Sequence, residues 1–139
     1  RKKEPLNGIV VTVSSENLLK DDNTKLTDNG QYLRKRIDQV MRVTGHKIPV
    51  YILVTKLDRI HGMTAFASAI DEKYFAQCLG YACNESETEW ESFLQKAITS
   101  IVLRLRKIRF LLTQHAQEPD PGLLLFPQEL EGLYPGLKA

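Results

Sequence analysis

Apolar positions along this chain fall into continuous runs and helically spaced stripes. Gly8-Ile9-Val10-Val11-Thr12-Val13 and Pro49-Val50-Tyr51-Ile52-Leu53-Val54 are apolar at nearly every position and rich in β-branched residues. Runs of strand length with no alternating polar residue suit parallel strands covered on both faces. Between them, Leu33, Ile37, Val40 and Met41 recur at helical spacing from Gln31 to Thr44, with Arg34, Lys35, Arg36 and Asp38 interleaved. Gly45 stops that helix. About 35 residues separate the two strands, ample for a right-handed crossover.

Further along, a helix is predicted near 64–79, interrupted at Gly80 and Asn84. Ser86-Glu87-Thr88-Glu89 fits a capping box and opens the longest element, near 87–115. Trp90, Leu94, Ala97, Ile101, Leu105, Ile108 and Leu112 form its apolar stripe. Glu118-Pro119-Asp120-Pro121-Gly122 ends it, since neither proline continues a helix. Leu123-Leu124-Leu125-Phe126 then reads as a third strand, stopping at Pro127-Gln128, and a short helix follows from Glu129 to Leu133.

The fold expected is α/β: parallel strands near 8–13, 50–54 and 123–126, with flanking helices, in a single partial domain. Open α/β sheets place ligands at the C-terminal ends of their strands. Here those ends carry Ser14 and Ser15, then Thr55-Lys56-Leu57-Asp58, then Gln128. Thr/Asn-Lys-x-Asp is the base-reading motif of GTPase-like P-loop folds. An aspartate there can accept from guanine N1–H and N2–H₂, and the lysine stem can cover the base face. Thr55, Lys56 and Asp58 are therefore the candidate base-binding residues. Ser14, Ser15 and Gln128 are candidates for the same strand-end rim. Two blander roles are set beside these: Ser14 and Ser15 capping the segment Glu16–Leu19, and Asp58 capping the segment after it.

Composition narrows the chemistry. The chain has 139 residues, 42% hydrophobic and 26% charged, with a net charge of +2. That is an ordinary globular balance, too weakly basic to argue for nucleic acid. Cys78 and Cys83 lack the four ligands of a zinc site and read as free thiols of a reducing compartment. His46, His61 and His115 are scattered, so neither metal nor histidine catalysis is expected. No apolar run approaches ~18 residues, so no span is expected. Arg1-Lys2-Lys3-Glu4-Pro5 leads straight into a strand, so no signal peptide is expected either. Arg104, Arg106, Lys107 and Arg109 flank a buried stripe and read as a solvated helix face, with an acidic partner or anionic leaflet as the functional alternative.

Several stretches together resemble the IcmF/TssM family. These are Pro5-Leu6-Asn7-Gly8 running into an apolar strand, Ser14 to Leu19, Pro49 to Asp58, Gly62-Met63 with Phe66, and Leu125-Phe126-Pro127-Gln128. The resemblance covers essentially the whole chain. It implies part of the cytoplasmic NTPase-like domain of a large inner-membrane subunit of the bacterial type VI secretion membrane complex. Its membrane helices would lie outside this chain. The implied partners are the remainder of the same domain, other membrane-complex subunits and cytosolic baseplate proteins.

The phosphate loop of such folds, Gly-x-x-x-x-Gly-Lys-Ser/Thr, is absent, and none of the eight glycines precedes a lysine. Phosphoryl transfer depends on that loop's backbone N–H groups and lysine. The chain is therefore expected to be the C-terminal half of the NTPase-like domain and not itself an enzyme, with GTP or ATP belonging to the intact domain. The alternative is the guanine-binding half of an active GTPase. Either way, the edge of the strand at Ile9–Val13 would be bared by the missing half.

Overall fold

The computed structural model describes residues 6–72, 77–82, 89–114 and 120–139. Strand β1 (Ile9–Ser14) leads directly into helix α1 (Ser15–Lys20), then α2 (Asn23–Thr44) and strand β2 (Val50–Thr55). The strands pair in parallel with Ile9 opposite Val50 and Ser14 opposite Thr55. Both strands thus end side by side. A turn of 3-10 helix (Leu57–Arg59), α3 (Met63–Ala69), α4 (Trp90–Gln114), α5 (Pro121–Glu131) and α6 (Tyr134–Lys138) follow.

Local chemistry sets several of these bounds. Helix α2 begins eight residues before the expected Gln31, because the Asp22 carboxylate caps it by accepting from the Lys25 N–H at 2.7 Å. The Asp21–Lys25 ion pair at 2.7 Å supports the same first turn. Gly45, at φ +70°, closes the helix and donates its N–H to the Met41 carbonyl at 3.0 Å. Helix α3 stops at Ala69, well short of the expected residue 79. The predicted capping box lies mostly outside the described residues.

The third strand is corrected outright. Leu123–Phe126 lies inside helix α5. Asp120 caps that helix by accepting from the Gly122 N–H at 2.7 Å, with Pro121 in the first turn, so the supposed terminator is a start signal. Leu123, Phe126 and Leu130 then recur at helical spacing and are all buried. Buried Pro127 sits within the helix without ending it. Gln128 is consequently an exposed helical residue and not a strand end.

The core is mostly helical. Leu18 of α1, Ile60, Phe66 of α3, Leu94, Ile98, Val102 and Leu105 of α4, and Leu123, Phe126, Leu130 and Leu133 form one cluster. The Phe66 and Phe126 rings meet at a centroid distance of 4.9 Å. The α4 stripe is centred on Ile98 and Val102, while Trp90 and Ile108 of the expected stripe are exposed. Two close backbone approaches lock the helices. Gly62, at φ +80°, abuts the Gly122 carbonyl, and Gly136 of α6 abuts the Leu18 carbonyl. Lys138 also reaches Glu91 in the first turn of α4 at 2.6 Å.

Only Val13 and Val54, near the strand ends, pack from the sheet against that core. Val11, Val13, Val50 and Ile52 line a cavity of about 950 Å³ shared with Leu33 of α2 and Leu137 of α6. On the opposite face Val10, Tyr51 and Leu53 are 61%, 57% and 52% exposed. Among the described residues the cover expected on both faces is therefore missing from this face and incomplete on the cavity side, where Val50 and Ile52 are still 39% and 45% exposed. Both outer edges of the two-stranded sheet lack a described neighbour. No described helix is long and apolar enough to cross a membrane.

Candidate functional site

The flush ends of β1 and β2 bring five of the six candidate residues to one rim. Ser14 and Thr55 are partners in the strand register. Thr55 donates through Oγ1 to the Val13 carbonyl at 3.2 Å, fastening one strand end to the other. Immediately beyond, fully buried Ser15 donates through Oγ to the Lys56 carbonyl at 2.6 Å. Ser14 stands at the N-cap position of α1, yet its hydroxyl makes no cap bond. Its Oγ is buried with no partner among the described residues. Neither serine caps α1 through its side chain, the blander role weighed for both; Ser15, the first residue of α1, instead ties that helix to the turn after β2.

Lys56 is in the left-handed region, φ 57° and ψ 38°, the one non-glycine residue with positive φ among those described. Lysine has no special preference for that region, so the conformation must be imposed by its surroundings. Two hydrogen bonds impose it. The Lys56 carbonyl accepts from Ser15 Oγ at 2.6 Å and from the Arg59 N–H at 3.0 Å, using both lone pairs. The turn redirects the chain into Leu57–Arg59, and Leu57 packs against the helical core.

Asp58 is thereby held outward, its side chain 66% exposed. Its one described partner is Arg59, with Nε at 3.5 Å from Oδ2, an exposed pair of little energetic weight. It caps nothing: Lys56 and Gly62 occupy the cap positions of the turn and of α3. The carboxylate is free to accept from an external donor pair. Glu16, on the first turn of α1, adds charge nearby. Its carboxyl is held below the usual carboxylate range, first by the hydrogen bond and charge of Lys20 at 2.8 Å, then by Lys56 and Arg59.

Gln128 lies on α5 and does not belong to a strand end. Of the candidate residues, only Ser14 also lines the 950 Å³ cavity beneath the other side of the sheet. No group of three or more His, Cys, Asp and Glu gathers to hold a metal among the described residues. The Ser15–Lys56 cross-link escaped sequence reasoning because it depends on strand register. The available signal was a small hydroxyl residue directly after one apolar run and the polar tetrad directly after the other.

All 139 residues match the model of the IcmF-related N-terminal domain. The chain is also 24% identical, over 96% of its own length, to a Pseudomonas aeruginosa protein described as "Type VI secretion system component TssM1". It spans only 13% of that relative's length. No solved structure matches the chain.

Proposed function

The chain belongs to the IcmF-related N-terminal domain family, and we propose that it is a non-enzymatic portion of an NTPase-like cytoplasmic domain in a type VI secretion membrane complex. In this reading it is the second half of that domain, and the phosphate-loop half is supplied by the rest of the parent protein. Its work is mechanical. It holds the inner-membrane complex to cytosolic baseplate proteins, while membrane helices elsewhere in the parent provide the tether.

The carrying observation is the sheet. Two in-register parallel strands end in a fastened rim, but the apolar face at Val10, Tyr51 and Leu53 is bare. A strand apolar on both faces is built for the middle of a larger sheet. β2 is such a strand, and β1 offers an open edge for the missing half.

A second reading is favoured by Asp58. Its outward carboxylate, beside the clamped Lys56, fits the base-reading corner of a GTP-binding domain. Then the intact parent would bind guanine nucleotide, with Thr55, Lys56 and Asp58 as this chain's contribution.

Co-purification of the complete cytoplasmic domain with baseplate proteins separates the two. Recovery without added nucleotide supports the scaffold. Recovery that requires GTP, and is lost in Asp58→Ala, supports nucleotide control. Failure under both conditions removes the proposed attachment.

A further inference from the structure

Helix α4 carries one acidic residue, Glu91 in its first turn, and none from there to Gln114. Arg104, Arg106, Lys107 and Arg109 crowd its second half. The inward side is occupied by Leu94, Ile98, Val102 and Leu105. On the opposite side Leu103, Lys107 and Phe110 follow one another at i, i+4 and i+7, and so share a face. Leu103 is 50%, Phe110 62% and neighbouring Leu111 58% exposed. Arg106 is paired with Glu131 at 3.0 Å, and Arg109 donates to the Leu124 carbonyl at 2.6 Å. Arg104 and Lys107 have no acidic partner among the described residues.

We propose that this outward face of α4 docks on an anionic phospholipid surface. Lysine is depleted from the cores of protein–protein interfaces, yet Lys107 stands between Leu103 and Phe110. A lipid headgroup layer accommodates that order. Leucine and phenylalanine enter the acyl boundary while the long basic stems lie alongside and lift their charges to the phosphates. The unpaired positive charge selects anionic over neutral lipid. The inference rests on α4 alone and stands or falls apart from the sheet and its rim.

Co-sedimentation of the 139-residue chain with vesicles tests it, using phosphatidylcholine alone or with about one-third phosphatidylglycerol. Binding is expected only to the anionic vesicles and should weaken as salt rises. Arg104→Gln with Lys107→Gln should lower it about 25-fold, about fivefold per base. Phe110→Ser should also lower it at unchanged net charge. Lys35→Gln with Arg42→Gln, the same charge change placed on α2, should leave it intact. All of these residues are exposed, and far-UV circular dichroism of each variant confirms the fold. Equal loss in the α2 control would reduce the effect to net charge and overturn the assignment. So would wild-type binding by the α4 variants. No sedimentation with either vesicle overturns it as well, and leaves an acidic protein as the occupant of the face.

Discussion

Ser15 and Lys56, 41 positions apart, are joined by a 2.6 Å hydrogen bond from a fully buried hydroxyl to a backbone carbonyl. Truncation by Ser15→Ala removes that donor and leaves the carbonyl one partner, the Arg59 N–H. A loss of about 1–2 kcal/mol is expected. Urea unfolding should show a lower midpoint with an unchanged slope.

Lys56 itself holds a conformation that costs a non-glycine residue roughly 1 kcal/mol. Lys56→Gly should therefore be neutral to stabilising by up to about 1 kcal/mol, whereas β-branched Lys56→Val should destabilise. Thermal unfolding midpoints in the order Gly, Lys, Val from highest to lowest support the strained turn. A glycine variant clearly less stable than wild type contradicts it.

Gly62 combines φ +80° with backbone contact against Gly122. A methyl group there collides with the Gly122 carbonyl, which belongs to backbone and not to a flexible side-chain tip. Gly62→Ala should cost more than about 3 kcal/mol, through strain and disruption of the α3–α5 junction. Gly30, with open space around it inside α2, provides the contrast. Gly30→Ala should stabilise by about 0.5–1 kcal/mol. Denaturant titration of the two variants reads both effects.

Asp58 separates stability from recognition. Its carboxylate is exposed and weakly paired, so Asp58→Ala should change unfolding free energy by less than about 0.5 kcal/mol. In the intact domain the same change should weaken fluorescent GTP by ~2 kcal/mol or more and leave ATP unaffected, if guanine is read there. Equal, undetectable binding in both proteins leaves only the scaffold reading.

Glu16 gives a pH signature. Its carboxyl is held below the usual carboxylate range, chiefly by Lys20. A group depressed on folding contributes stability above its unfolded value, and that contribution is lost as pH falls through the folded value. NMR titration should find Glu16 ionising below an ordinary glutamate, and Lys20→Gln should bring it back up. An unchanged Glu16 titration in that variant would exclude the pair as the cause.

Legibility from sequence divides by how local the cause is. The positions of β1 and β2 follow from apolar runs, and the end of α2 from Gly45, all contained within a few residues. Leu123–Phe126 misled because four consecutive apolar residues show no period. Strand and buried helix are then distinguished only by what lies beyond them. Asp120-Pro121-Gly122 was the deciding signal, since aspartate followed by proline opens a helix as readily as it closes one. At the site, the rim itself was legible as polar residues after apolar runs. That Ser15 and not Ser14 does the fastening was not, because it requires Ser14 to lie opposite Thr55. The position of Gln128 failed together with the strand it was meant to end.

Helix α1 is gripped at both ends, by Lys56 at its start and by Gly136 packed on Leu18 near its close. Helix α6, which carries Gly136, is moored in turn to the opening turn of α4 through Lys138 and Glu91. Moving Lys56 out of its left-handed turn would break the Ser15 bond that anchors the start of α1. The backbone contact of Gly136 on Leu18 would still hold that helix near its other end.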